Sequence, residues 1–302
     1  MKKRWLLVAV IGYMMTITGS SLDAVEKNSS YRVTSVPKKF GFDSFYKKHV
    51  SANGFPIIGS EKVDDYALRE AAYLVNMMLR QRPDVRDAMI ASGSRLVVMA
   101  HDEFTTDIPE HSKMTPKDWW DARARGLGGS QTDPVCSCGE ENLLCMPGDP
   151  YFKENILIHE LAHNIHLRGM VRVDKGFDAR VIKAYESAMK AGLWKPKYAS
   201  VNKNEYFAEG VQCWFNNNRE NDHDHNHVNT RLELKEYDPA LALLCEEVFG
   251  RTKLEYTRPS TRIRGHLKGF NPDELPTFQW PAKLDKVRLE IQQSAANRGN
   301  DK

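Results

Sequence analysis

The chain has 302 residues, with 43 Lys and Arg against 40 Asp and Glu and a formal charge of +3. Lys2, Lys3 and Arg4 account for that whole excess, so the remainder is balanced and carries no electrostatic footprint of a nucleic-acid binder. The length suits one large domain, or one domain with extensions.

Basic residues 2–4 are followed by an apolar run from Trp5 to about Ile17 and by Thr18-Gly19-Ser20-Ser21. A basic start, a short apolar stretch and small residues form the order of a secretory signal. Residues 1–20 are therefore expected to be removed, and the product to be secreted or periplasmic without stable membrane association. The apolar run is short for a membrane span; an uncleaved anchor is the alternative. Residues 21–40 are polar and read as a loose lead-in, residues 41–294 as the folded domain, and residues 295–302 as a frayed tail.

Within the domain, apolar residues recur at helical spacing over 64–81, from Leu68 to Leu79. Arg82-Pro83 interrupts them, and 84–91 reads as a second short helix. Arg95–Ala100 is a short apolar run expected to be a buried strand. Residues 101–129 are loop-rich and end in Gly126-Leu127-Gly128-Gly129, a glycine turn without the Lys-Ser/Thr of a phosphate loop. Five cysteines occur, Cys136, Cys138, Cys145, Cys213 and Cys245. After secretion they allow two disulfides and a free thiol, and a local disulfide within 136–145 is favoured over metal binding.

Residues 159–163 read His-Glu-Leu-Ala-His inside an apolar, helix-like run. The i, i+4 spacing sets both imidazoles on one helix face. Two such nitrogens suit one zinc ion, with Glu160 beside them as general base. A catalytic zinc needs a third protein ligand. The pattern that supplies a nearby third His fails, because position 166 is His166 and position 169 is Gly169. His166 is expected to line the site as a neighbour. Downstream, Glu205 and Glu209 again stand at i, i+4 on a largely apolar segment, where paired acids need cations or donors facing them.

These residues resemble a known family. HExxH, followed by Glu205-Tyr206-Phe207-Ala208-Glu209 with Tyr198 seven residues before the first Glu, looks like the catalytic domain of anthrax lethal factor and its relatives. Those belong to the gluzincin metallopeptidases, the broad group that includes thermolysin. The match covers about 155–215. It implies an α+β, mainly helical zincin-like domain with a small sheet, an active-site helix carrying HExxH and a second helix carrying the Glu ligand. It also implies one zinc per chain on His159, His163 and Glu205, Glu209 supporting a ligand His, Glu160 and Tyr198 in catalysis, and a peptide or protein substrate. A helix from Phe177 to about Ala191 fits between the two motifs. An edge strand that pairs with extended substrate is expected at Glu140–Leu144 or Leu96–Met99. The loop Asp222–His227, with His223, His225 and His227, reads as polar surface, and Tyr237-Asp238-Pro239 as a helix start. The alternative function is a zinc-containing module that holds peptides without turnover.

Overall fold

The computed structural model describes residues 31–297, and the segment read as a secretory signal lies outside them. The architecture is α+β: a six-stranded mixed sheet carrying helices. The strands are β1 (Thr34–Ser35), β2 (Lys48–Ala52), β3 (Phe55–Gly59), β4 (Arg95–Met99), β5 (Gly126–Leu127) and β6 (Val135–Gly139), in the order β1-β2-β3-β4-β6-β5. Pairs β3–β4 and β4–β6 are parallel, and the outer pairs are antiparallel. Part of the stretch read as a lead-in thus forms the outermost strand.

Strand β4 is apolar on both sides because it lies mid-sheet between two parallel neighbours. Its residues alternate between two cores. Leu96 and Val98 join the large core, whereas Val97 and Met99 join a smaller one with Ile58, Val135 and Tyr46. The large core packs under the helices.

Helix α1 (Asp65–Met78) starts where the Asp64 side chain accepts from Tyr66 N at 2.7 Å, and buries Leu68, Ala71, Ala72, Leu74 and Val75. Helix α2 (Pro83–Ala91) begins with proline in its first turn. The loop-rich stretch contains α3 (Lys117–Arg123) ahead of β5. After β6 come α4 (Glu140–Leu144) and α5 (Ile156–Asn164), which carries the His-Glu-x-x-His residues. Helix α6 (Phe177–Lys190) follows. Helix α7 (Lys203–Trp214) carries the Glu pair, and its start is capped by Asn202. Helices α8 (Arg231–Tyr237) and α9 (Pro239–Phe249) close the core, the second starting at the expected Asp238-Pro239. The C-terminal arm ends in α10 (Asp285–Asn297). Among the described residues no helix is long and apolar enough to cross a membrane.

Two expectations fail here. No disulfide forms: all five cysteines are free, and four of them are buried. Cys136 and Cys138 stand two residues apart on one face of β6, which sets their Cα atoms about 6.6 Å apart, at the far end of disulfide reach. Both side chains pack into the large core instead. Nor is either proposed segment an edge strand. Leu96–Met99 is central, and Glu140–Leu144 is helical.

The C-terminal arm is fastened to α1 by a buried ion cluster. Glu70 is fully buried, accepts from both terminal nitrogens of Arg262, and meets His266 Nε2 at 2.8 Å. Tyr73 stacks on His266, with ring centroids 4.4 Å apart. Burial alone would raise the Glu70 carboxyl, but hydrogen bonds from His266 and Arg262 hold it below its ordinary value. Removing one member of such a cluster strands a charge, so Glu70→Ala should cost about 3–5 kcal/mol. Urea denaturation of the variant checks this; a loss under about 1 kcal/mol, the surface-pair level, would mean that the cluster does not hold the arm.

Candidate metal centre and cleft

Helix α5 is positioned by side chains remote in sequence. Its own Asn155 gives no side-chain cap. Instead Asn142 Oδ1 accepts from Ile156 N at 2.8 Å and Asn217 Oδ1 from Asn155 N at 3.0 Å. These bonds satisfy amides that an uncapped helix start would leave unpaired. They also seat α5 against α7.

That seating brings three donors together. His159 Nε2 lies 3.0 Å and His163 Nε2 3.3 Å from Glu205 Oε2, and the two imidazole nitrogens are 3.1 Å apart. On its other side, His159 Nδ1 lies 2.8 Å from Gln212 Oε1 and 3.5 Å from Glu209 Oε1. Both partners are acceptors, so the His159 proton belongs on Nδ1. Its Nε2 lone pair then faces a second imidazole nitrogen and a carboxylate oxygen. Three lone-pair donors aimed at one point repel unless a cation lies between them, and mixed N/O donors suit zinc. His159, His163 and Glu205 therefore fit a divalent metal.

Without a metal, a proton takes the place of the cation, and a bound metal would displace it. Burial pulls the His159 pKa down, but hydrogen bonding to Glu205 and the charges of Glu205, Glu160 and Glu209 push it up to about 10. Burial would raise Glu205, yet its two imidazole partners hold it below the usual carboxylate range. Glu160 is held above that range by burial, with the charges of His159 and His163 opposing.

Behind the donors runs a buried polar chain. Gln212 Nε2 donates to Glu154 Oε2 at 2.6 Å, and Glu154 pairs with Arg219 at 2.9 Å. Glu209 receives Asn218 Nδ2 at 2.8 Å and lies 3.3 Å from His225 Nε2; His225 Nδ1 is 2.8 Å from Asp222 Oδ1. Glu209 thus stands behind His159, but the shorter contact is Gln212, which the sequence reading passed over. Its signal was present: Gln212 follows Glu205 by seven residues and Glu209 by three, on the same helix face.

The loop read as polar surface is instead part of the wall. His225 is buried, and Arg219, His223, Asp224 and His225 line a cleft of about 680 Å³ with His159, Glu160, His163 and Glu205. The loop also holds Tyr198 in place, since Tyr198 N donates to Asp224 O at 2.8 Å. The Tyr198 ring lines the cleft 6.2 Å from the His159 ring, and burial raises its phenol pKa, with the charges of Glu205 and Glu160 adding to the rise.

His166 does not line the cleft. It is fully buried between Phe177 and Phe207, with Nε2 3.0 Å from Asp178 Oδ1. Residues 165–170 form a π-helical turn, which is wider than an α-turn and moves His166 off the His163 face. Burial lowers its pKa to about 4 despite the Asp178 charge.

Opposite α5 runs β5, at the free edge of the sheet. Helix and strand approach closely. A Cβ on Gly128 would sit 2.5 Å from His163 Cβ, and one on Gly126 3.0 Å from Glu160 Cγ. Asn164 Nδ2 donates to Gly128 O at 3.3 Å and ties the two together. The residue just before β5, Arg125, is fully buried and bound to Glu141 at 2.6 and 3.1 Å, which anchors the strand from the other side. The glycine turn Gly126–Gly129 thus contains the edge strand that lies beside α5.

No family model matches the chain, and no curated protein matches it. Among solved structures, the Pro-Pro endopeptidase of Paenibacillus alvei is similar over 64% of this chain and 97% of its own, at 18% identity and a TM-score of 0.43. So distant a likeness carries no argument about this chain. The resemblance to the lethal-factor group rests on residues 155–215 alone.

Gly128→Ala keeps all three donors but forces His163 to move. Zinc affinity in a chelator competition should fall about tenfold or more, the scale of disturbing a ligand's support. Unchanged affinity would mean that β5 yields and does not fix His163.

Proposed function

We propose that this chain is a zinc-dependent metalloendopeptidase. The observation that carries the reading is the convergence of His159, His163 and Glu205 on one point in an open cleft, with Glu160 and Tyr198 on its walls. His159 Nε2, His163 Nε2 and the Glu205 carboxylate would hold the metal, one per chain. A zinc ion there supplies Lewis acidity, polarising a carbonyl and making water more acidic.

The chain's own groups account for the rest. Glu160 takes a proton from the attacking water and delivers it to the leaving amine. One carboxylate serves both duties because it holds the proton between the two steps. Tyr198 keeps its phenol protonated and donates a hydrogen bond to the oxyanion as it develops. Gln212 and Glu209 hold His159 in one tautomer and orientation. The free edge of β5 offers main-chain groups to an extended peptide, and Gly126 lets that edge lie close to Glu160. A module that only held peptides would need neither the proton acceptor nor the phenol.

Glu160→Gln leaves every proposed ligand in place. It should retain one equivalent of zinc and lose about 10²–10⁴-fold in the hydrolysis of a random peptide library followed by mass spectrometry. Wild-type turnover in this variant sinks the mechanism.

Tyr198→Phe should keep zinc content and KM and lower kcat about 10²-fold, because only the oxyanion hydrogen bond is removed. Lost zinc would instead place Tyr198 in the coordination sphere.

Glu205→Ala should abolish stoichiometric zinc, whereas Glu209→Ala should weaken it by about 10–100-fold. Metal titration showing the opposite order would exchange the roles of the two acids.

A further inference from the structure

Two arginines line the cleft, and they are placed differently. Arg219 is neutralised by Glu154 at 2.9 Å, Asp222 at 3.3 Å and Asp224 at 3.9 Å. Arg123 has no carboxylate within ion-pairing distance among the described residues. Its guanidinium instead rests over the rings of Trp119 and Trp120, 5.4 and 5.8 Å from their centroids. Stacking on an indole orients a guanidinium and strips part of its hydration without cancelling its charge. The side chain is exposed, and it lines the same cleft as Glu160 and Tyr198.

The position is built rather than incidental. Arg123 ends α3, two residues before the buried anchor Arg125 and three before β5. Helix α3 is braced by α10, whose Ile291 and Gln292 line the cleft beside it. Asp121, on the same helix, is buried and accepts from Thr106 N at 2.8 Å and Thr106 Oγ1 at 3.0 Å, which fixes the helix to the scaffold. The other charges of the cleft are already engaged. Glu154 and Asp224 face Arg219, Glu209 faces His225, and Glu205 faces the two imidazoles. Glu160 feels the charge of Arg123 across the cleft but lies beyond ion-pairing distance of it. Among the described residues the cleft therefore presents one preorganised cation with no ion-pair partner, beside the strand along which a peptide would lie.

We propose that Arg123 is a substrate-selecting residue that receives a carboxylate of the bound peptide, from an Asp or Glu side chain or from a chain terminus, at the rim of the cleft. A planar guanidinium matches a carboxylate through two parallel hydrogen bonds, and the Trp119–Trp120 platform holds it ready for that geometry. Elsewhere in the cleft Glu160 and Glu205 would repel an acidic side chain, so the preference is confined to one subsite. The proposal rests on the reading of the cleft as a peptidase site.

The test compares wild type, Arg123→Gln and Arg123→Glu, all zinc-loaded, on a random hexapeptide library capped at both ends and on the same library with free carboxyl termini. Wild type should enrich cleavage of peptides carrying Asp or Glu at one fixed distance from the cut, or of free-terminus peptides, by roughly fivefold, the upper range for an ion pair with a solvent-facing partner. Comparing the two libraries separates side chain from terminus. R123Q should lose the enrichment, and R123E should turn it toward Lys and Arg. An enrichment equal in all three proteins overturns the proposal. So does a uniform fall in all cleavages by R123Q without change of preference, which would make Arg123 an electrostatic support for Glu160. Should wild type cleave nothing, the peptidase reading fails by itself. Affinity selection of both libraries on immobilised E160Q and on E160Q/R123E then decides the matter: carboxylate-bearing peptides retained by the first alone uphold Arg123, and equal retention or none by either rejects it.

Discussion

The contact between α5 and α7 at His159 and Gln212 is the joint on which the site depends. One helix supplies two imidazoles, and the other supplies a carboxylate in front of them and an amide behind. The amide oxygen fixes where the His159 proton resides, and so which nitrogen offers a lone pair to the centre. The amide nitrogen passes the constraint to Glu154 and Arg219, and from there to the loop that holds Tyr198. A buried amide with both ends engaged tolerates little rotation, because either half-turn would set like groups against each other. The orientation of a ligand, the wall of the cleft and the tyrosine therefore share one set of hydrogen bonds.

The second constraint acts from the opposite side. Strand β5 and the residue that follows it lie so near α5 that only glycine fits at positions 126 and 128. Gly126 stands against Glu160 and Gly128 against His163. Arg125, buried and paired with Glu141, prevents the strand from drifting outward. Sheet edge and helix thus form the two jaws of a cleft whose width is set by the absence of side chains.

The legible part of this site was the part encoded by helical periodicity. His159, His163, Glu205 and Glu209 fall at i, i+4, and that spacing fixes a shared face whatever surrounds it. Helix α6 and the start of α9 were legible for similar local reasons. What escaped depends on tertiary context. Strand β5 is two residues long, contains no β-branched residue and becomes a strand only through pairing with β6. His166 left the expected face because of a π-turn that no residue type announces. His225 sits in a sequence that looks like solvated loop, yet it is buried because Glu209 and Asp222 partner both its nitrogens. The cysteines suggested a cross-link by composition, whereas Cys136 and Cys138 on β6, Cys213 on α7 and Cys245 on α9 serve as small apolar fillers.

The walls of the cleft are gathered from Arg123 at one extreme to Gln292 at the other. Neither the motif helix nor its partner encloses the cavity by itself, since α3, β5, the 216–229 loop and the arm reaching α10 all contribute. Such a cavity is a product of high contact order. Its ligand pair can form with local helix, but its enclosure waits for contacts that span well over a hundred residues, and loop-closure entropy opposes each of them until the sheet is in place. The cleft is thus the least local part of this fold, and the arm that completes its wall does so only in the fully assembled chain.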